Sequence, residues 1–270
     1  MPSFKQKKTS EIPPLLRPPL VEAICEIRWE LKRDVETQRL RDVAYPMMYG
    51  RLYERLKKDF PLIEDLPATQ AHPEAAPFVV RHRLREKKDT WPAIQIGPGI
   101  ITINETKGYS WSSLRSLVSR LVESLVELFP KHEWPLNFTK AEIRYINGIR
   151  FDSQMEHPLA FLQEKLHLKL APDSALFDGS MIGEKPLDVG VNFVYPLNRP
   201  IGNLLLALNL GEVDGKSAYL LQTFIQSFGE TAPQDAEGFA SWLEEAHEVA
   251  EHAFQTFCKG ALMNRFCGIE

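Results

Sequence analysis

The segment VEAICEIRWEL at 21–31 divides its side chains into two sets by regular alternation. One set is apolar and comprises Val21, Ala23, Cys25, Ile27, Trp29 and Leu31. The other set is mostly charged. Because successive side chains of a strand point to opposite faces of a sheet, the segment predicts a strand with one buried face and one polar face. What the polar face contacts is therefore central to the function of the chain.

A second segment, KAEIRYINGIRF at 140–151, repeats both the alternation and the tripeptide E-I-R. In the first half the hydrophobic patterns predict strands at 20–32, 77–86, 92–97 and 100–106, and helices at 36–59, with an interruption near Pro46, and at 111–129. In the second half they predict strands at 138–151, 187–196, 202–210 and 217–228, a short helix beginning near Pro158 and a long helix at 239–257. The order βαβββα therefore occurs twice and predicts an internal duplication.

The predicted duplication divides the chain into an N-terminal tail at 1–18, a first half at 19–135 and a second half at 136–270. The fold class that follows is α+β, in which the duplicated βαβββα unit forms a curved antiparallel sheet with helices on one face. The opposite sheet face is left open to solvent or to a partner. On the last helix, Phe239 and Trp242 lie on an apolar stripe and are predicted to be buried against the sheet.

The tandem arrangement resembles the saddle of the TATA-binding-protein fold, and this resemblance implies two pseudo-symmetric halves without implying a function. The segments PPLVEAICEIRWEL at 18–31 and RYINGI at 144–149 are similar to the two signatures of a sporadically distributed, uncharacterised prokaryotic protein family. That resemblance spans most of the chain and brings no catalytic residues with it. The patchy distribution of the family implies horizontally moved genes, and hence an accessory role in a mobile-element, defence or toxin-neutralisation system.

The composition, with 44% hydrophobic and 25% charged residues, is typical of a soluble globular protein. No apolar run approaches the roughly 20 residues that span a bilayer, and the basic, proline-rich N-terminus has no apolar signal-peptide core. A cytoplasmic protein that does not bind membranes is therefore expected. Cys25, Cys258 and Cys267 show no C-x-x-C spacing, so neither a metal nor a cofactor is expected.

Motifs that superficially suggest an enzyme have simpler interpretations. GEVDGKS at 211–217 has one residue too few between its glycines for a phosphate-binding loop and predicts a hairpin turn. In HEVAEH, His247 and His252 diverge by about 140° around a helix, which indicates a solvated acidic face and not a zinc site. Glu22 and Glu26 are about 13 Å apart along a strand, but a cross-strand pair with Glu142 keeps an enzyme with sheet-face carboxylates as an alternative.

The stretch VVRHRLREKK at 79–88 places Arg81, Arg83 and Arg85 on one face of a strand. Together with Lys87, Lys88 and the tail residues Lys5, Lys7 and Lys8, this row predicts contacts with successive phosphates. A nucleic-acid-binding protein is therefore the first alternative. The competing interpretation is an edge strand that is protected from aggregation by its charges.

The favoured hypothesis is a non-enzymatic recognition module that binds a protein partner, through the open sheet face or through the acidic C-terminal helix. If the halves are related by a pseudo-two-fold axis, Arg28 and Arg144 become counterparts that face the glutamates of the two central strands. The predicted partner-binding residues are Glu22, Glu26, Arg28, Glu142, Arg144, Asn192 and Asn209. An ion-pair ladder that fixes strand register is the alternative interpretation of the charged members. A homodimer is also compatible with the sequence.

Overall fold

The computed structural model describes residues 15–70, 76–106, 108–132, 134–152 and 154–269. The tail lysines Lys5, Lys7 and Lys8 lie outside the described residues. The strands are β1 (Leu20–Trp29), β2 (Lys32–Arg33), β3 (Leu40–Arg41), β4 (Leu62–Asp65), β5 (His82–Arg85), β6 (Ala93–Gly97), β7 (Ile100–Glu105), β8 (Phe138–Arg150), β9 (Val191–Asn198), β10 (Ile201–Val213) and β11 (Lys216–Phe228). The helices are α1 (Tyr45–Leu56), α2 (Trp111–Leu128), α3 (Pro158–Leu166), α4 (Ala236–Cys258) and α5 (Ala261–Cys267).

Nine of the strands form one antiparallel sheet in the order β4-β5-β6-β7-β1-β8-β11-β10-β9, and β2 pairs with β3 in a separate hairpin. The protein is therefore α+β, as predicted. The E-I-R strands β1 and β8 are neighbours at the middle of the sheet, where Cys25 pairs with Ile143 and Glu26 pairs with Glu142. On β1, the alternate residues Ala23, Cys25, Ile27 and Trp29 are 0–2% exposed, which confirms the predicted buried face.

The helices pack on the face of the sheet that carries these buried side chains. The apolar stripes of α1, α2 and α4 share one core with β1 and β8, and α3 and α5 cover a second cluster on the same face around Tyr219. Phe239 and Trp242 are 2% and 5% exposed, so their predicted burial is confirmed. Within the described ranges, the helices are too short or too polar for any of them to cross a membrane.

The largest error of the sequence-based assignment lies between residues 32 and 65. The sequence predicts helix over 36–59 with an interruption near Pro46, but the helix is confined to α1, and Pro46 lies in its first turn, where a missing N–H is tolerated. Upstream, the Asp34 carboxylate accepts hydrogen bonds from the backbone N–H groups of Glu36 and Thr37, which stabilises the β2–β3 turn instead of a helix. The short strand β4 was not predicted at all, and neither was α5.

The hairpin turn predicted from GEVDGKS is confirmed between β10 and β11. Asp214 and Gly215 both adopt left-handed backbone conformations, with φ values of 51° and 68°. Two successive residues with positive φ match the twist of the flanking strands, and this is the reason that Asp-Gly favours two-residue hairpins. The loop therefore continues from strand to strand and does not open a helix that could hold a phosphate.

Candidate functional site

The helix-free face of the sheet carries a network of paired charges at its centre. The Glu142 carboxylate is 1% exposed and accepts bonds from Lys140 Nζ at 2.7 Å, from Arg144 at 3.1 Å and from the Gln226 amide. Lys140 Nζ also contacts Glu26 at 2.8 Å. A buried carboxylate is stable only when its oxygens are paired in this way. The central charges are therefore a structural unit of β1, β8 and β11.

A second set of hydrogen bonds lies beside this network, toward the N-terminal half, and most of its side chains are neutral. The Asn104 amide donates to Glu22 at 2.8 Å and its oxygen accepts from Gln95 at 2.7 Å and from Thr102 at 2.8 Å. Arg83 in turn donates to Gln95. We call these two neighbouring sets of side chains together the polar band; it comprises Glu22, Glu26, Arg28, Arg83, Gln95, Thr102, Asn104, Lys140, Glu142, Arg144 and Gln226.

All of the predicted partner-binding residues lie on the helix-free face. Glu22, Glu26, Arg28, Glu142 and Arg144 belong to the polar band. The remaining two lie nearer the β9 edge, outside the band: Asn192 pairs with Ala207, and Asn209 pairs with Leu220. The cross-strand ion-pair ladder that the sequence offered as an alternative is present in part: Lys140 pairs with Glu26 across β8 and β1, whereas the Arg28–Glu26 and Arg144–Glu142 pairs run along single strands.

The members of the polar band differ in how far they reach the surface. The side chains of Arg28 and Arg144 are 32% and 31% exposed, whereas those of Glu26 and Glu142 are 13% and 1% exposed. The carboxylates therefore lie below the guanidinium groups to which they are paired. The two arginines are therefore the more accessible members of these pairs, while the Nε atom of each is buried.

An apolar patch adjoins the band on β9, β10 and β11; it comprises Val194, Ile201, Leu205, Phe224 and Phe228. In this patch Val194 and Ile201 are each 64% exposed, and Phe228 is 44% exposed. Arg144 lies over the Phe224 ring at 4.3 Å, so the band and the patch are in direct contact. Large exposed apolar side chains next to arginine are typical of protein interfaces.

The arginine row of β5 is largely internal. Arg81 and Arg85 are 5% and 4% exposed; Arg81 donates to the Thr69 carbonyl at 2.9 Å, and Arg85 pairs with Glu64 at 3.2 Å. Of the three, only Arg83 is half-buried, and the lysines that follow, Lys87 and Lys88, are exposed in a loop. Because β4 lies outside β5 in the sheet, the interpretation of this row as protection of an edge strand is wrong.

A cavity of about 340 Å³ lies on the opposite, helix-covered side, between the start of α2 and the middle of α4. Its floor is formed by Tyr145, Asn147 and Thr223 of β8 and β11, and its walls include Trp111 and His247. Asn147 and Thr223 are 5% and 2% exposed. The cavity therefore has a polar floor enclosed by the two longest helices.

A chain of hydrogen bonds connects the walls of this cavity. Tyr109 Oη donates to Tyr145 Oη at 3.3 Å, and Tyr145 Oη lies 2.9 Å from His247 Nδ1. The His247 ring stacks on Trp111 with ring centroids 3.8 Å apart. Burial lowers the pKa of His247 to about 4 and raises the pKa of Tyr109 to about 12, so His247 is neutral at pH 7.

A buried carboxyl group lies beside this chain. In the sheet register Glu105 and Tyr145 both flank Ala23, one on each side, so the two side chains share a row on the helix-covered face. Glu105 is 4% exposed, and its Oε2 atom has no hydrogen-bond partner among the described residues. Burial accordingly raises the pKa of the Glu105 carboxyl.

The cavity was missed in the sequence because its members are far apart in the chain. The assignment of His247 to a solvated acidic face was wrong, although His252 is indeed exposed. One local feature indicated the true position: His247 follows Leu243 by four residues and precedes Ala250 by three, and both of these are buried at 1% and 4% exposure. Residues with this spacing lie on the same side of a helix.

Across the described ranges, no group of three or more His, Cys, Asp or Glu side chains is arranged to hold a metal ion. Comparison of the sequence with protein-family models finds no matching family. Comparison with curated proteins likewise finds no match.

The low pKa of His247 predicts a specific loss of stability in acid. In the unfolded chain this group titrates near 6.5, so between pH 6.5 and 4 the unfolded state binds more protons than the folded state. Lowering the pH from 7 to 4 should therefore reduce the unfolding free energy of the wild type by about 1–3 kcal/mol more than that of His247→Gln. Urea unfolding of both proteins across this range measures the difference.

The exposed His252 provides the control for this measurement. His252 is exposed on α4 and does not line the cavity, so His252→Gln makes the same substitution without altering the surroundings of His247. Other groups near the His247 ring, namely Tyr145, Tyr109 and Glu251, are common to all three proteins. If the unfolding free energies of the wild type and His247→Gln fall equally between pH 7 and 4, the His247 ring is solvated in the folded protein.

Proposed function

We propose that this chain is a non-enzymatic recognition module that binds a protein partner through the helix-free face of its sheet. The partner's matching surface carries acidic side chains beside apolar ones. The observation that carries the proposal is the contact of one guanidinium group of the polar band with the apolar patch: Arg144 covers the ring of Phe224, which is 9% exposed and adjoins the more exposed members of the patch on β9 and β10.

The charge of the partner follows from the depth of the ion pairs. The carboxylates of Glu26 and Glu142 are paired below the surface, whereas the side chains of Arg28 and Arg144 are about one-third exposed. An acidic partner therefore meets positive charge and avoids the buried carboxylates. Such complementarity mainly sets the specificity and the association rate of an interface.

The apolar patch supplies the part of the interface that excludes water. Val194, Ile201 and Phe228 are between 44% and 64% exposed, and their burial against a partner removes apolar surface from water. A nucleic-acid backbone would leave this patch unused, and Arg81 and Arg85 are engaged in internal contacts. The geometry therefore favours a protein over a phosphate backbone as the occupant.

The two halves of the chain are further proposed to derive from one βαβββα unit, in the manner of the TATA-binding-protein fold. The strand order supports this idea: outward from the central β1–β8 pair, β7, β6 and β5 lie on one side and β11, β10 and β9 on the other. Strand β4 and the β2–β3 hairpin are then additions to the first half. The proposed partner surface spans the junction of the halves.

The resemblance to a sporadically distributed prokaryotic family places candidate partners among the products of neighbouring genes, as expected for an accessory component of a mobile-element, defence or toxin-neutralisation system. The test compares Val194→Asp with Val35→Asp in co-purification with those products. Val194 lies in the apolar patch, whereas Val35 is 85% exposed in the β2–β3 turn, away from the sheet. Val194→Asp should weaken partner binding at least about tenfold, which corresponds to about 1.4 kcal/mol.

Both substitutions lie at exposed positions, so each should change the unfolding free energy by no more than about 0.5 kcal/mol. Equal binding by the wild type and Val194→Asp would refute the proposed surface. Equal loss in both variants would show that the effect is not specific to this face. A partner that proves to be nucleic acid, with an affinity that falls steeply as the salt concentration rises, would instead favour the alternative of a nucleic-acid-binding protein.

A further inference from the structure

We infer that the cavity between α2 and α4 binds an organic ammonium ion, a positively charged amino group carried on a short apolar stem. The site lies on the helix-covered side of the sheet, away from the proposed partner surface, so the inference stands independently of the proposed function. At about 340 Å³, the cavity is at the small end of the range of protein ligand sites.

The charge of the cavity lining selects the sign of the ligand. None of the described residues that line it is Lys or Arg, and the one carboxylate among them is Glu251, an exposed residue of α4 one turn after His247. Glu105 does not line the cavity; it lies two strands from Tyr145 in the same row of the sheet. A cation is therefore stabilised in this space, whereas an anion meets no positive charge.

The aromatic walls supply a second attraction for a cation. Trp111, Tyr109, Tyr145 and Phe254 all line the cavity. The faces of aromatic rings carry partial negative charge, and ammonium groups bind to them most strongly when they are shielded from water. The same rings bury the apolar stem, so one surface recognises both parts of the ligand.

The floor offers acceptors for the N–H bonds of the ammonium group. Asn147 and Thr223 line the cavity and are 5% and 2% exposed. Their polar atoms are not among the fully buried atoms that lack a hydrogen-bond partner, so they open into the cavity, where a ligand can reach them. The carbonyl oxygen of Asn147 and the hydroxyl oxygen of Thr223 are the acceptors in this inference.

A second cavity shows that this charge pattern is particular to the first. A space of about 620 Å³ beside the end of β8 and the start of α5 is lined by Arg150, Lys165, Lys216 and Arg265, with Asp152 and Glu156. Its excess of cations disfavours an ammonium ion. The two cavities therefore select ligands of opposite charge.

The test uses three probes of similar size, measured by calorimetric titration of the full-length protein at pH 7.5. The probes are 2-phenylethylammonium, the neutral 2-phenylethanol and the anion 3-phenylpropionate. The ammonium should bind with a dissociation constant of about 0.1–1 mM, a range that is realistic for so few non-hydrogen atoms. The alcohol should bind at least about tenfold more weakly, and the anion should not bind measurably.

A matched pair of variants assigns the binding to this cavity. Glu251→Gln removes a carboxylate that lines the cavity, whereas Glu248→Gln makes the same change at an equally exposed position of α4 that does not line it. Glu251→Gln should weaken ammonium binding about fivefold to tenfold and leave alcohol binding unchanged. Glu248→Gln should bind both probes like the wild type.

The natural source of the ammonium group is either a free amine or a lysine side chain. A short peptide with one central lysine, compared with its acetyl-lysine form, distinguishes these sources. The lysine peptide should bind more tightly than 2-phenylethylammonium only if the natural ligand is a lysine side chain of a peptide. Equal or tighter binding of the alcohol or the anion would overturn the inference. Failure of both the ammonium probe and the lysine peptide to bind would overturn it as well.

Discussion

Replacing Trp242 with alanine is expected to lower the free energy of unfolding by about 3–5 kcal/mol. The ring is 5% exposed and packs edge-to-face on Phe239, and its N–H donates to Ser227 Oγ at 2.8 Å. Truncation removes buried apolar area, leaves a cavity under α4 and deprives Ser227 of its donor. Because domains are stable by only about 5–15 kcal/mol, thermal unfolding should show a midpoint lower by roughly 10 °C.

Two controls separate packing from hydrogen bonding at this position. Trp242→Phe keeps an aromatic ring but loses the bond to Ser227, so its cost should be smaller than that of alanine. Glu248→Ala, on the exposed side of the same helix, should change the unfolding free energy by less than about 0.5 kcal/mol. An unchanged midpoint for Trp242→Ala would show that the α4 stripe is a free surface.

Replacing Glu142 with alanine should also be strongly destabilising, by about 3–5 kcal/mol. Glu142 is 1% exposed and is the shared acceptor for Lys140 and Arg144. Without it, these two cations remain close together and the Gln226 amide loses its acceptor. Lys140 keeps its contact with Glu26 at 2.8 Å, so the cost comes mainly from the partly buried Arg144 and the Gln226 amide, which lose their acceptor, and it should exceed that of a surface ion pair. Chemical denaturation of the wild type and of Glu142→Ala measures this loss of unfolding free energy.

The neighbouring Arg144 provides the comparison. Arg144→Ala removes a side chain that is 31% exposed and leaves Glu142 paired with Lys140, so it should cost about 1 kcal/mol. Arg144→Glu should cost more, since it places a second carboxylate beside the buried one. In an ion pair whose members are both exposed, this charge reversal would cost only about 1 kcal/mol, but here the partner carboxylate of Glu142 is buried. If Glu142→Ala is as stable as Arg144→Ala, the band is solvated and not an interior network.

These expectations affect how the partner surface is tested. Substitutions at Glu142 or Arg144 change folding and binding together, because Glu142 accepts a bond from Gln226 of β11 and Arg144 pairs with Glu142 and packs on Phe224 of β11. Val194, which is 64% exposed and outside the band, changes the surface alone. The apolar patch is therefore the better place to separate recognition from stability.

Local patterns in the sequence determined which side chains face the core. The alternation in β1 and in the second E-I-R strand, β8, identified the helix-covered face, and the helical spacing of Phe239 and Trp242 identified the buried stripe of α4. The Asp214–Gly215 pair identified the β10–β11 turn. Each of these features depends on neighbouring residues and on periods of two or 3.6, so the sequence alone contains the necessary information.

Only the tertiary structure decided the environment of the polar groups. Glu142 is buried because β1 and β11 flank β8, and no local pattern distinguishes it from the more exposed Glu22. The cavity brings His247 to Tyr145 across 102 residues and Tyr145 to Tyr109 across 36. A side chain's direction follows from backbone geometry over a few residues, whereas its exposure and its partners depend on the order in which distant strands and helices are placed beside it.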